Sequence, residues 1–295
     1  MTGLRWCRRT TVTLAEELTA LGIFVSPNTV ARLLHQMGYS LRVNAKQIAT
    51  SHSPDRDRQF AYLTDLRARF QRQHLPIISV DTKKRELIGN FKNPGRRWER
   101  EPRRVLDHDF RTDATGVAIP YGIYDVQENR GAFVVGVSHD TPAFAAHAIS
   151  LWWSQEGAAR YRRSRQLLIL ADTGGSNSSR THAWKTELQA QLANQHRLAV
   201  TVAHYPPGAS KWNPIEHRLF SALSLNWAGE PLDSYQKVLN YARTTTTQTG
   251  LAVTAYFDRR HYPTGLKPSA DEIASLSLER HEVLPNWNYT ITPQL

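Results

Sequence analysis

The chain has 295 residues, of which 40% are hydrophobic and 21% are charged, a composition typical of globular proteins that excludes wholesale disorder. The net charge of +11 favours a polyanionic partner over an acidic small molecule. The single cysteine, Cys7, excludes an internal disulfide framework and a multi-cysteine zinc site. The sequence shows no secretory signal and no apolar run near the ~20 residues of a membrane helix, so we expect a soluble cytoplasmic protein.

Residues 1–50 are predicted to form a small helical module. Apolar residues at helical spacing indicate two short helices, the first ending at Gly22 and the second at Gly38. Ser26 and Pro27 are typical of the N-cap and first position of the second helix. Two such helices form a candidate helix-turn-helix, although a helical hairpin that only packs would show the same pattern. The outward face of the second helix carries groups suited to base edges and phosphates: Asn28, Thr29 and Arg32.

Residues 51–74 are predicted to be a polar linker followed by a helix whose apolar face runs from Phe60 to Phe70. This helix leads into the apolar run from Leu75 to Val80, which indicates a buried strand that ends at Asp81.

The stretch from Lys83 to Arg104, called the basic segment below, holds nine basic and three acidic residues. Its glycines and proline predict a loop, not a strand or helix. Phosphate backbones attract such a segment by charge and counterion release, although a solvated basic loop would have the same composition. The predicted contacts to the DNA backbone are Lys83, Lys84, Lys92, Arg96 and Arg97.

Residues 75–230 are predicted to form an α/β domain. Strands at 118–126 and 132–137 form a hairpin, followed by a helix over 144–153, a strand at 166–171, a helix over 181–196, a strand at 198–203 and a helix after Pro214. This order indicates an antiparallel hairpin followed by parallel crossovers in a mixed sheet. Residues 231–295 are predicted to be a C-terminal extension that packs on this domain.

Three carboxylates stand where predicted strands end or a helix begins. Asp81 follows the first strand, Asp172 follows the fourth, and Glu216 lies at the start of the helix after the fifth. Because loops at strand ends form the ligand crevice of an α/β sheet, we expect these side chains to converge. Carboxylate oxygens suit Mg²⁺, and two such ions can activate a nucleophile and stabilise a leaving oxygen in phosphoryl transfer. Caps and turns would also place acids there, and Asp125 is a rival acid at another strand end.

Several stretches together resemble the DDE transposases, and more narrowly the ISAzo-thirteen family of bacterial insertion-sequence transposases. They are S-V-D-T-K-K at 79–84, L-A-D-T-G-G-S-N at 170–177 and S-K-W-N-P-I-E-H-R-L-F at 210–220. The most specific match is V-D-T-K-K-R-E-L-I-G-N-F-K-N-P-G-R-R-W at 80–98. H-D-F at 108–110, P-Y-G-I-Y-D-V at 120–126 and H-D-T at 139–141 are also similar to the family.

The resemblance implies a ribonuclease H-like mixed sheet flanked by helices and preceded by the helix-turn-helix module. It implies that Asp81, Asp172 and Glu216 are the catalytic D-D-E triad and bind two Mg²⁺ ions, for which Mn²⁺ can substitute. The implied activity is hydrolysis at transposon ends to free a 3′-hydroxyl, followed by attack of that hydroxyl on target DNA. The implied partner is double-stranded DNA in the nucleoid, on which a homo-oligomer is expected. Lys211, shortly before Glu216, is a further candidate DNA contact.

Two other interpretations stay open. Members of the family usually carry a longer region before the helix-turn-helix, so the chain is also interpretable as a truncated transposase that binds DNA without cleaving it. A host nuclease of the same fold would cleave DNA without specificity for transposon ends.

Overall fold

The structure, a computed structural model, describes residues 9–41 and 54–294. The chain forms two compact units, residues 1–50 and residues 51–295. The divisions that the sequence analysis places at residues 74 and 230 therefore lie inside the second unit.

The described part of the first unit consists of two helices, α1 (Thr11–Ala20) and α2 (Pro27–Gln36). Helix α2 begins as the sequence predicts, because the Ser26 hydroxyl accepts a hydrogen bond from the Thr29 backbone N–H at 3.1 Å. The apolar faces are less buried than their spacing predicts. Met37 is 63% exposed, whereas Ala15 and Val30 are buried.

Nine strands of the described chain form one mixed sheet in the second unit. They are β1 (Ile77–Thr82), β2 (Glu86–Ile88), β3 (Gly116–Asp125), β4 (Arg130–Gly136), β5 (Gln166–Ala171), β6 (Ala199–His204), β7 (Ala252–Asp258), β8 (Leu278–Arg280) and β9 (Asn288–Ile291). The order is β7-β4-β3-β1-β5-β6-β9-β8, and β2 pairs with β3. Strands β1, β3 and β4 are antiparallel neighbours, and β1, β5 and β6 are parallel neighbours. This is the predicted ribonuclease H-like arrangement.

The helices of the second unit cover both faces of the sheet. They are α3 (Arg56–Arg72), α4 (Pro142–Trp152), α5 (Ala158–Arg160), α6 (His182–Leu188), α7 (Ser221–Asn226), α8 (Tyr235–Arg243) and α9 (Ala270–Ala274). Strand β1 alternates between the faces, as a buried strand does. Ile78 and Val80 pack into the apolar cluster that contains α4 and α6, whereas Ile77 packs into the cluster that contains α3.

Three features differ from the sequence-based expectations. The basic segment is not wholly a loop, because Glu86–Ile88 forms β2 and pairs with β3. The helix after Pro214 opens with a π-helical turn, Glu216–Phe220, before α7 begins. Residues 231–295 do more than pack on the domain, since β7 forms one edge of the sheet and β8 and β9 extend the other. Within the described ranges, no helix has the length and apolar character needed to cross a membrane.

Candidate active site

Asp81 and Asp172 lie side by side at the carboxyl ends of two neighbouring parallel strands, β1 and β5. The parallel register of β1 and β5 pairs Ser79 with Leu170. Continuing this register by two residues sets Asp81 opposite Asp172, which directly follows β5. Neighbouring strands are about 4.8 Å apart, so the two carboxylates share one crevice. The Thr82 N–H donates to Asp81 Oδ1 at 2.7 Å and the Gly174 N–H donates to Asp172 Oδ1 at 3.2 Å.

A buried hydrogen-bond bridge brings the third carboxylate, Glu216, to the same end of the strands. Ser79 and Asn213 are fully buried, and the Ser79 hydroxyl donates to Asn213 Oδ1. The same hydroxyl accepts from the Ile215 N–H at 3.1 Å, and the Glu216 N–H donates to the Asn213 carbonyl at 3.2 Å. Ser79 and Asp81 lie on the same face of β1, because they are two residues apart. Strand β1 therefore positions both Asp81 and the segment that carries Glu216.

The charges of these carboxylates interact. Burial, and next the negative charge of Asp172, raise the pKa of Asp81 to about 8, and the Glu216 and Asp140 carboxylates add to this rise. Burial also raises the pKa of Asp172 and of Glu216. The positive charge of Lys83 partly offsets the rise at Glu216. The structure thus brings the three predicted carboxylates close enough to repel one another.

A fourth carboxylate at this end of the strands, Asp140, was not among the predicted site residues. Strand β4 runs parallel to β1, because both are antiparallel to β3. Asp140 follows β4 and therefore lies at the same end of the strands as Asp172, which follows β5. The Thr82 hydroxyl donates to Asp140 Oδ1 at 3.1 Å and contacts the Ser176 hydroxyl at 3.4 Å. Its position in H-D-T directly after an apolar strand was the sequence signal that could have identified it.

Asp125, the rival acid, lies at the opposite end of the strands from Asp81 and Asp172. It pairs with Ile78 near the start of β1, whereas Asp81 pairs with Gly122. Its carboxylate accepts hydrogen bonds from Arg160 at 3.2 Å and from the Tyr161 hydroxyl at 2.9 Å. Asp125 is therefore a buried, fully engaged acid that ties the α5 region to the sheet.

The donor chemistry of the cluster fits a hard divalent cation. Its donors are carboxylate oxygens, which Mg²⁺ prefers, and their mutual repulsion is the kind that a cation relieves. As placed, however, no group of three or more His, Cys, Asp or Glu side chains in the described part of the chain is arranged to hold one ion.

The basic segment is fastened to residues 227–237. The buried Glu230 forms ion pairs with Arg97, with Arg103 at 2.6 Å and with Lys237 at 3.0 Å. Gly95, at a φ of +123°, lies so close to Ala228 that an added Cβ would be 2.5 Å from the Ala228 Cβ. The part of the basic segment from Gly95 to Arg103 is therefore ordered and held against residues 227–237. It is called the clasp below.

The predicted DNA contacts differ in how far they are engaged within the chain. Lys83 is largely buried, pairs with Glu86 at 2.6 Å and lies 4.7 Å from the centre of the Trp227 ring. Arg97 pairs with Glu230, as described above, and Thr29 joins the Ser26 cap of α2. The other predicted contacts are exposed: Asn28, Arg32, Lys84, Lys92, Arg96 and Lys211. Lys83 and Lys84 also line an open cleft of about 500 Å³ whose other wall includes Glu216 and Ser224.

The chain matches a family of transposases and is similar to solved transposase structures. The family model described as Rhodopirellula transposase DDE domain matches residues 1–293. The chain is similar to the solved Mos1 transposase paired-end complex with left transposon end, at 18% identity and a TM-score of 0.45, and to a pre-cleavage Mos1 transpososome, at 17% identity and a TM-score of 0.47. Each alignment covers 79% of this chain and 65% of the Mos1 chain, which is less than two thirds of its length. No curated protein shows a significant match. Because the family model spans nearly the whole sequence, the chain belongs to the Rhodopirellula transposase DDE domain family.

Proposed function

We propose that this protein is the transposase of a bacterial insertion sequence, which binds the transposon ends and catalyses metal-dependent DNA cleavage and strand transfer. The observation that carries the proposal is the convergence of Asp81, Asp172 and Glu216 at one end of the strands of a ribonuclease H-like sheet, where burial, and next the charge of Asp172, raise the pKa of Asp81 to about 8. Membership of a transposase DDE domain family supports the same conclusion.

Asp81, Asp172 and Glu216 are the proposed catalytic residues and the proposed ligands of two Mg²⁺ ions, for which Mn²⁺ substitutes. Held by these carboxylates, the ions would supply the Lewis acidity that polarises a phosphodiester and stabilises its leaving oxygen. The protein contributes the positions of the ligands. Thr82 and Gly174 fix one oxygen each of Asp81 and Asp172, and the Ser79–Asn213 bridge fixes the approach of Glu216.

The proposed chemistry consists of two displacements at phosphorus. In the first, water loses a proton and its oxygen forms a bond to phosphorus, the P–O3′ bond breaks, and the leaving 3′-oxygen takes up a proton. In the second, that 3′-hydroxyl loses its proton, its oxygen bonds to a phosphorus of target DNA, and the displaced 3′-oxygen of the target takes up a proton. Neither step needs a covalent protein intermediate, an oxidant or a reductant.

The proposed DNA contacts follow mainly from charge, and most of them are also exposed. Lys83 and Lys84 line the cleft beside Glu216, and the positive charge of the basic segment continues to Lys92, Arg96 and Arg97. Such contacts attract the phosphate backbone without reading sequence. In the first unit, Asn28, Thr29 and Arg32 on α2 are the proposed contacts to base edges, and Lys211 is a proposed contact near Glu216. A homo-oligomer on paired ends is part of the proposal.

The test is cleavage of a duplex that carries the element's inverted repeat by the full chain in Mg²⁺. We expect wild-type protein to nick at the repeat and the Asp172→Asn variant to lose the activity while retaining binding. Asp107→Asn is the matched control, since its side chain is 92% exposed and lies in the loop before Phe110, outside the carboxylate cluster. Equal cleavage of duplexes with and without the repeat would instead indicate a nuclease without end specificity.

A second candidate function is DNA binding without catalysis. The observation that favours it is the set of exposed cations, Lys84, Lys92 and Arg96, which attract a phosphate backbone without a metal ion. Specific binding of the repeat with no cleavage in Mg²⁺ or Mn²⁺ would support this function over the first.

A further inference from the structure

An exposed indole lies just before Glu216. Trp212 belongs to the short turn Ser210–Trp212 and is 44% exposed. Its ring packs in none of the three apolar clusters of the described chain. Instead, the Lys211 ammonium lies 4.1 Å and the Arg56 guanidinium 4.7 Å from the ring centre, and the Phe60 ring is 5.5 Å away. This group of four side chains is called the Trp212 cluster below.

The Trp212 cluster lies on the same face of the sheet as Asp81. Ile77, two residues before Ser79 and four before Asp81, packs into the apolar cluster of α3, and Phe60 of α3 packs against that cluster as well. The Phe60 ring in turn contacts Trp212. The turn is also tied to the catalytic segment, since His217 Nε2 is hydrogen-bonded to the Lys211 carbonyl. The Trp212 ring is therefore held next to the segment that carries Glu216.

Among the described residues, the two cations of the cluster have no carboxylate as an ion-pair partner. Within residues 9–41 and 54–294, neither Arg56 nor Lys211 forms an ion pair with a carboxylate, in contrast to Arg97 and Arg103 of the clasp. The aromatic ring holds both charges by cation–π attraction. An exposed aromatic face flanked by uncompensated cations is the arrangement that takes a single-stranded nucleotide, with the base on the ring and the phosphates on the cations.

We propose that Trp212, Arg56 and Lys211 form a subsite for one unpaired nucleotide of the DNA strand next to the cleaved phosphodiester. The base stacks on the indole, and Arg56 and Lys211 turn from the ring to the two flanking phosphates. Glu216 lines the cleft of Lys83 and Lys84 and follows Trp212 by four residues, so the strand passes the carboxylates between two basic contacts. The inference rests on the proposed function, because it assumes that DNA is the substrate.

The experiment measures binding of the full chain to two fluorescent duplexes in Ca²⁺, which keeps them intact. One duplex ends in a single unpaired adenine, and the other carries an abasic nucleotide at that position. Loss of base–aromatic stacking weakens binding roughly 5- to 150-fold. We expect Trp212→Ala to weaken binding of the adenine duplex by this factor, to leave the abasic duplex unchanged, and to retain the wild-type melting temperature. Trp212→Phe keeps a stacking ring and should restore most of the affinity.

Trp98→Ala is the matched control, because this indole is fully exposed in the basic segment and far along the chain from Glu216. We expect Trp98→Ala to leave the ratio of the two affinities unchanged. The inference is overturned if Trp212→Ala weakens both duplexes equally or neither, or if Trp98→Ala changes the ratio as much. Failure of wild-type protein to bind either duplex would overturn the proposed function itself, and that result is distinguishable from the others.

Discussion

Replacing Ser79 by alanine removes the hydroxyl that joins β1 to the segment carrying Glu216. The hydroxyl donates to Asn213 Oδ1 and accepts from the Ile215 N–H at 3.1 Å, and all three residues are fully buried. Alanine keeps the size of the side chain nearly unchanged, so the change tests the hydrogen bonds and leaves no large cavity.

The magnitude follows from the two groups that lose their partner. A buried polar group left unsatisfied costs about 1–3 kcal/mol, so the free energy of unfolding should fall by about 2–6 kcal/mol. Because Asn213 also accepts the Glu216 N–H, its displacement moves the Glu216 carboxylate relative to Asp81. The Mg²⁺ concentration that gives half-maximal cleavage should therefore rise, while DNA affinity stays unchanged.

The assay combines urea unfolding with single-turnover cleavage over a range of Mg²⁺ concentrations. Ser150→Ala is the control, since this buried serine is hydrogen-bonded to His196 at 2.8 Å on α4, away from the carboxylates. It should cost about 1 kcal/mol of stability and leave the Mg²⁺ dependence unchanged. If Ser79→Ala lowers stability with the wild-type Mg²⁺ dependence, the bridge does not position Glu216 and the reasoning is refuted.

Three further predictions concern charge and packing. The pKa of Asp81 is raised to about 8, so its protonated form stabilises the metal-free fold, and the free energy of unfolding should fall as pH rises from 4 through 8. Mg²⁺ competes with that proton, so its stabilisation in thermal unfolding should increase over the same range. Because the pKa values of Asp172 and Glu216 are also raised, Asp81→Asn should weaken both trends without abolishing them, and unchanged trends would contradict the reasoning. Lys92→Ala should reduce the salt slope of DNA binding by about 1 without loss of stability, whereas Arg97→Ala should mainly lower stability because Glu230 loses an ion-pair partner; equal salt slopes for the two variants would contradict this. An added Cβ in Gly122→Ala overlaps the Phe220 ring, so urea unfolding should show a loss of about 1–3 kcal/mol, and wild-type stability would contradict the packing.

Local signals in the sequence predicted much of the second unit. Strand β5 has the predicted bounds of 166–171, because its continuous apolar run is bounded by polar residues. The face of α3 with Leu63, Leu66 and Phe70 is buried as its spacing indicates. The fold class was also predictable, since the order of strands and helices leaves few arrangements.

The remainder depends on contacts between distant segments. Strand β2 is short and lies among charged residues, and it forms because residues 116–118 of β3 extend beyond the part of β3 that pairs with β1 and β4. The role of Arg97 could not be predicted, because its partner Glu230 is distant along the chain and only the fold brings the two together. Of the candidate site, the three carboxylates were predictable from strand ends, whereas the Ser79–Asn213 bridge depends on a contact over 134 positions.

A pair of amides links the first helix of the second unit to its last strand. Gln59 of α3 and Asn288 of β9 exchange two buried hydrogen bonds, of 2.8 and 2.7 Å, and Gln59 also donates to the His204 carbonyl at 2.8 Å. Strand β9 covers β6, which otherwise presents an unpaired edge. During synthesis the sheet cannot close until residue 291 has left the ribosome. Until β9 has been synthesised, the nascent chain therefore presents the open edge of β6, which is a site for pairing with other strands.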